Sequence, residues 1–269
     1  MDFLYQVPAA LLLVAVLALA IGAAGFGQSW VHRRFRDGDF VGHNEVGGII
    51  IAVSGTIYAV ILGFLTVVAW EHYQEARNLV VLESDADIDA WHSAVGLPAT
   101  VRNRVRSDMI AYADTMIAHE WPMMREGRFD PAAPMISMDA INAVGGFVPA
   151  NEGESNAQAA TLQQLTSIHD ARQQRIAING SGVSWFEWLV LAVGGVCIVC
   201  FCWLFGLRNP RTHFLMTSTV VTMIASILVL LFELQYPFRS DIGIGPELWR
   251  GARAHLHQMQ TGNMPGMRM

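Results

Sequence analysis

Residues 47–70 read GGIIIAVSGTIYAVILGFLTVVAW, 24 consecutive residues without a formal charge. As a helix rising about 1.5 Å per residue, such a run spans roughly the 30 Å hydrocarbon core of a bilayer. Three more runs of similar length follow the same rule: Leu4 to Phe26, Trp185 to Leu207 and Phe214 to Leu234. Inside the four runs the formally charged side chains are Glu187 and Glu233, each within about a turn of a run's end, where interfacial water is in reach. The pattern predicts an all-α membrane protein with four transmembrane helices in two hairpins. Met1, Asp2 and Phe3 carry no positive charge, and the first apolar stretch exceeds a signal peptide's h-region, so it is expected to persist as a helix.

The expected organisation follows from these runs. Residues 1–46 hold transmembrane helix 1 and a short basic loop, and 47–70 hold helix 2. Residues 71–184 form an extramembrane acidic helical domain, 185–238 carry helices 3 and 4, and 239–269 are a C-terminal tail, partly disordered. At 53% hydrophobic, 15% charged and net charge −6, with every basic residue an arginine, the chain offers no nucleic-acid surface. Its expected partners are the lipid bilayer, small ions and further copies of itself. Cys197, Cys200 and Cys202 all fall in the third run, where small polarizable side chains pack a lipid-buried helix and a thiolate is costly to form.

Arginine placement predicts orientation in a plasma (inner) membrane. Arg33, Arg34 and Arg36 follow helix 1, and Arg208 with Arg211 lie between helices 3 and 4, so the positive-inside rule puts both short loops in the cytoplasm. The large segment and both termini then fall on the non-cytoplasmic side. Arg77, Arg172, Arg175 and Arg239 are read as flanking the opposite membrane surface, which weakens that asymmetry.

Helical spacing continues past Trp70 through Tyr73, Ala76, Val80 and Ala90, so helix 2 leaves the bilayer as one rod ending near Gly96-Leu97-Pro98. A second extramembrane helix carries Val101, Val105, Met109, Tyr112 and Met116 and stops before Pro122. A loop with a short helix near Met138 to Val144 follows, then a helix over about Ala157 to Ile178. This segment holds 15 acidic residues against 8 arginines, net −7. Glu83, Asp85, Asp87 and Asp89 crowd onto about two turns, readable as a solvated helix face, as an acidic vestibule that concentrates cations where subunits meet, or, with His92 but without a firm ligand spacing, as a metal site.

The run Gly63-Phe64-Leu65-Thr66-Val67-Val68-Ala69-Trp70, with Tyr73, Ala76-Arg77, Glu83, Leu97-Pro98, Arg102, Tyr112 and Glu120-Trp121-Pro122, resembles the bacterial bestrophin-like domain family. Phe205-Gly206 and Glu233-Leu234-Gln235-Tyr236-Pro237-Phe238 fit too. The family's usual closing motif has Asp and Gly where this chain has Gln235 and Ser240. The resemblance covers roughly residues 45 to 248 and implies a homo-oligomeric ion channel. The alternative is a non-conducting accessory, scaffold or sensing protein that binds partners through its extramembrane helices.

Two helices offer a polar path. Helix 2 bears small residues at steps of three and four, Gly48, Ala52, Gly55, Ala59, Gly63 and Thr66, which serve either close helix packing or a pore wall. On the pore reading, Ile51, Tyr58, Leu62 or Val67 supply an apolar constriction. Helix 4 carries Ser218, Thr222 and Ser226, and the hydroxyls either bond the carbonyl one turn back or line a pathway. Glu233 continues about the same face, where it either belongs to that pathway or pairs with Arg239 near the helix end. Ser184-x-x-Glu187 is a capping box opening helix 3.

Catalytic constellations are not found, and no enzyme activity, cofactor or metal is assigned. Glu71-His72 and His119-Glu120 lack a third partner at a recognisable spacing. His255, His257, Met259, Met264, Met267 and Met269 are soft ligands suited to copper, against the simpler reading of a disordered tail.

Overall fold

The computed structural model describes residues 2–35, 42, 44–207 and 209–261. Arg36, Gly38, Arg208, Met264, Met267 and Met269 therefore lie outside the described residues. Among the described residues every regular element is helical, and the chain resolves into two compact units.

The first unit comprises residues 1–72, 182–235 and 240–242. It contains α1 (Ala9–Arg34), the first half of α2 (Asn44–Ser93), α7 (Trp185–Trp203) and α8 (Pro210–Leu234). All four helices are long and apolar enough to cross a membrane. α1 starts at Ala9 rather than Leu4 because Pro8 ends the preceding 3₁₀ turn, Asp2–Gln6, and suits the cap position before a helix. α8 starts earlier than its apolar run, at Pro210, whose missing N–H is no loss in a first turn; Asn209 accepts the Arg211 N–H there. The capping box forms as expected: Glu187 N–H donates to Ser184 Oγ at 3.3 Å, and Ser184 N–H donates to Glu187 Oε2 at 2.8 Å.

α1 packs chiefly against α8, and α7 touches both. α2 meets α7 through Tyr58, whose hydroxyl donates to the Leu191 carbonyl at 3.1 Å. The Tyr58 ring occupies the space a side chain on Gly194 would need, since a Cβ there would stand 2.5 Å from it. Asn44 joins the other end of α2 to Gly206, donating to its carbonyl at 2.8 Å and accepting its N–H at 3.0 Å. Both backbone groups of Gly206 are thus held by the one Asn44 side chain.

The second unit comprises residues 73–181, 236–239 and 243–269. It holds the second half of α2, α3 (Ala99–Thr115), α4 (Trp121–Arg125), α5 (Ala133–Gly145), α6 (Glu152–Gly180) and α9 (Glu247–Thr261). As expected, the α2 rod ends at Gly96-Leu97-Pro98, closed by a 3₁₀ turn over Ala94–Gly96. The second helix does not stop before Pro122. A π turn over Met116–Glu120 carries it into α4, and the Trp121 N–H bonds the Met116 carbonyl five residues back, shifting the bonding frame where proline has no N–H to give. α5 and α6 are longer than their sequence expectations, α6 opening on Asn151, whose side chain accepts the Glu154 N–H at 2.9 Å. The tail expectation also changes, because Trp249, Leu256, Ala252 and Met259 of α9 are buried in this unit's core with Tyr112, Met109 and Leu165. An amphipathic helix with one such face gains by burying it.

Candidate functional site

On the membrane half of α2 the small residues do not pack inside the chain. A Cβ added at Gly48, Gly55 or Gly63 would meet nothing within 4 Å; Ala52, Ala59 and Gly63 are exposed, and Gly55 and Thr66 partly so. Thr66 donates its hydroxyl to the Leu62 carbonyl at 2.8 Å, one turn back. At about 100° per residue the stripe lies roughly a quarter turn from the face that Tyr58, Leu62 and Ala69 bury. It lies further round from the large apolar side chains Ile49, Val53, Ile57, Val60 and Phe64, which are all exposed. Tyr58 bonds α7 and Leu62 is buried in the same helical phase, so neither lies on the face of the stripe; Val67, 54% exposed, shares the side of Ile49 and Val60, and Ile51 is half-buried.

The α8 candidates sit differently. Ser218, Thr222 and Ser226 are half-buried within the unit, and the buried Ser218 Oγ has no hydrogen-bond partner among the described residues. Glu233 is 4% exposed and takes a bond from the Ser240 hydroxyl, while its Oε1 accepts none. Arg239, read in the sequence as a candidate partner of Glu233, donates to the Asn179 carbonyl at 3.0 Å. At the departed motif position, Gln235 accepts from Trp188 Nε1 at 3.2 Å and donates to the Tyr5 hydroxyl at 2.8 Å, a role that needs an amide's two faces.

The four vestibule candidates divide. Asp85 and Asp89 are exposed, whereas Glu83 and Asp87 are fully buried in the second unit. Glu83 and Asp87 are four positions apart, so they share one face of α2 and that face is the core side. Glu83 anchors a buried network. Arg175 Nε donates to its Oε2 at 2.6 Å and Nη2 to its Oε1 at 3.1 Å, and the Tyr112 hydroxyl donates to Oε1 at 2.6 Å. Arg175 Nη2 also lies 3.5 Å from Glu120 Oε1, which Arg172 Nη2 approaches at 3.1 Å. Arg172 further donates to the Asp130 carbonyl at 2.9 Å, and the Asp130 N–H donates to Glu120 Oε2 at 2.8 Å.

Two carboxylates and two guanidiniums thus balance in a site closed to water. Burial opposes the charge on Arg175, but Glu83 and then Glu120 outweigh it and hold its pKa above the ordinary value. Burial, then the Glu83 charge, raise the Tyr112 pKa well above normal, so its proton stays on the donor. Asp87 has no such partner: both its carboxyl oxygens are buried without a hydrogen bond among the described residues. Burial first, and the neighbouring Glu83 second, hold the pKa of its carboxyl well above the usual range.

Sequence reading missed this network. In the sequence Glu83 reads as one of four vestibule carboxylates, Tyr112 as part of a helix face, Glu120 as one of an adjacent pair with His119, and Arg172 and Arg175 as membrane-flanking charges. Their three-residue spacing on α6, the helical phase of Leu165 and Ile168, is the one signal that they face inward. Among the described residues no three of His, Cys, Asp and Glu gather as a metal site.

The bestrophin-like domain family model matches residues 14–248. No curated protein matches. Among solved structures the fold is similar to a bacterial bestrophin homologue from Klebsiella pneumoniae, at TM-score 0.69 and 15% identity over 92% of this chain and 99% of that one. A point variant of the Klebsiella pneumoniae homologue gives TM-score 0.68 at 14% identity, covering 91% and 98%. A structure described only as a membrane protein gives 0.70 at 15%, covering 91% and 98%. At these identities the likeness is one of fold.

Proposed function

The chain belongs to the bestrophin-like domain family, and from that premise we propose that several copies surround an axis and conduct small ions along α2. The observation that carries this reading is the open stripe of Ala52, Gly55, Ala59 and Gly63, whereas Gly48 lines a cavity shared with Cys202 and Thr217. The apolar window of α2 is 11% buried within the chain, as is that of α1, against 28% for α8, so α2 and α1 leave most of their surface to neighbours outside the chain. A single subunit has too few membrane helices to enclose water, and a face of small residues leaves room for a path when it is repeated round an axis. Ser218, Thr222, Ser226 and Glu233 on α8 are the second choice, because half-burial turns them toward neighbouring helices.

Outside the membrane, Asp85 and Asp89 are the carboxylates left to attract cations at the mouth of such a path, and the preference we propose is for cations. Orientation follows the arginines. With Arg172 and Arg175 consumed by ion pairs in the core, they no longer count as membrane-flanking charges, and the excess beside the short loops, Arg33, Arg34 and Arg211, favours a cytoplasmic position for those loops. Ion flux through purified protein in liposomes tests the reading, with Gly55→Leu and Ala59→Leu as the blocking substitutions.

A further inference from the structure

One end of the first unit holds a cavity of about 390 Å³ between the last two turns of α1 and the start of α8, lined by Gly25, Gln28, Ser29, His32, Pro210 and His213 among others. It belongs to neither of the proposed ion-path faces. Three of the polar side chains that line it, His213, His32 and Ser29, donate to backbone carbonyls. His213 Nε2 donates to the Cys202 carbonyl at 2.9 Å, and a ring N–H of His32 is held by the carbonyl of Trp203, the next residue. Ser29 donates its hydroxyl to the Gly25 carbonyl at 2.8 Å. Gln28 is 6% exposed, and its buried Oε1 accepts no hydrogen bond among the described residues.

Each neutral imidazole that donates from one nitrogen presents a lone pair on the other. The cavity therefore offers four acceptor atoms, two imidazole nitrogens, the Gln28 amide oxygen and the Ser29 hydroxyl oxygen, which suits a cation. We propose that Gln28, His32 and His213 bind a divalent transition-metal ion of the zinc, cobalt or nickel type, with Ser29 or water completing its shell. Imidazoles oriented by backbone carbonyls are the usual outer-shell arrangement of metal-ligating histidines. The ring centres lie 5.2 Å apart at 84°; two imidazoles on one tetrahedral ion at about 2.0–2.1 Å stand with centres roughly 5 Å apart. Both carbonyls that orient the rings end α7, where the helix dipole also favours positive charge. A bound ion ties the end of α1 to the start of α8.

The test is Co²⁺ titration of the full chain in detergent, purified without a histidine tag and followed by visible absorption and bound-metal analysis. The exposed pair His92 and His255, with ring centres 6.1 Å apart, is the competing site, so the parent for comparison carries His92→Asn and His255→Asn. The expected result is one Co²⁺ per chain with the intense bands of low coordination number, and affinity weakened on the order of 100-fold by His32→Gln or His213→Gln. No uptake by that parent at millimolar Co²⁺, or uptake that both substitutions leave unchanged, overturns the proposal. Should the histidine variants fail to fold, Gln28→Leu decides, since it removes an unpartnered buried amide. A folded Gln28→Leu protein with weaker Co²⁺ binding supports the site, and one with unchanged binding contradicts it.

Discussion

Arg175 grips both oxygens of the Glu83 carboxylate, at 2.6 and 3.1 Å, with neither side chain exposed to solvent. The pair joins α6 to the rod of α2 that continues from the membrane. Desolvating two charges costs several kcal/mol, and the bidentate geometry with the Tyr112 and Glu120 contacts offsets it, so removing one partner is far worse than never having built the pair.

Arg175→Met is expected to destabilise the full chain by about 3–5 kcal/mol, because it strands Glu83 in a dry core. Tyr112→Phe removes one bond to a charged acceptor and is expected to cost about 1.5–3 kcal/mol. Combining Arg175→Met with Glu83→Leu restores part of the loss. Denaturant unfolding of the purified protein reads all three, and equal stability of Arg175→Met and the parent contradicts the network's role.

Asp87 sets a pH dependence of opposite sign to that of a salt-bridged carboxylate. Its folded-state pKa is raised, so the folded protein holds a proton that the unfolded chain releases above about 3.9. Its contribution to stability is complete below that value and declines as pH rises toward the folded pKa. Asp87→Asn is expected to flatten this slope and raise the melting temperature at neutral pH. A slope unchanged by Asp87→Asn rules out Asp87 as its source.

The membrane half of this fold was legible because lipid imposes a long apolar run that nothing else in the chain imitates. Trp185 and the Ser184–Glu187 box marked the start of α7 to the residue. The extramembrane core was legible in its elements but not in its charges. A buried arginine and a solvated one look alike in sequence until helical phase is compared with apolar neighbours, and Arg172 and Arg175 share the phase of Leu165 and Ile168. The helix at Glu247–Thr261 was missed because its apolar residues, Trp249, Leu256 and Met259, are few, and they count only once placed on one face. The small residues of α2 were visible, but whether they faced a neighbour or open space was a question of tertiary packing that spacing cannot answer.

Topology is tested by cysteine labelling in intact cells, in a background with Cys197, Cys200 and Cys202 replaced. A probe at Asn209 is expected to be shielded and one at Gly153 labelled from outside. The reverse pattern inverts the orientation and puts the acidic unit in the cytoplasm.

Selectivity is expected to respond to Asp85 and Asp89 alone among the four clustered carboxylates. Replacing both with Asn should lower the preference for cations more at low salt than at high salt, since screening at 0.1 M already acts over about 10 Å. Glu83→Gln should act through stability instead. Reversal potentials across a salt gradient check this, and an anion preference indifferent to Asp85 and Asp89 removes the vestibule.

Conduction by copies that meet around α2 is decided by ion flux in liposomes, reconstituted from a sample whose native mass is measured in lipid nanodiscs, for the parent and for Gly55→Leu with Ala59→Leu. A Cβ at Gly55 would meet nothing within 4 Å in the chain and Ala59 is exposed, so the substituted protein is expected to fold. An oligomer with flux is expected for the parent, and an oligomer with at least tenfold less flux for the variant, about 1.4 kcal/mol on the conducting path. Monomers only, or equal flux from both proteins, contradicts a pore lined by α2.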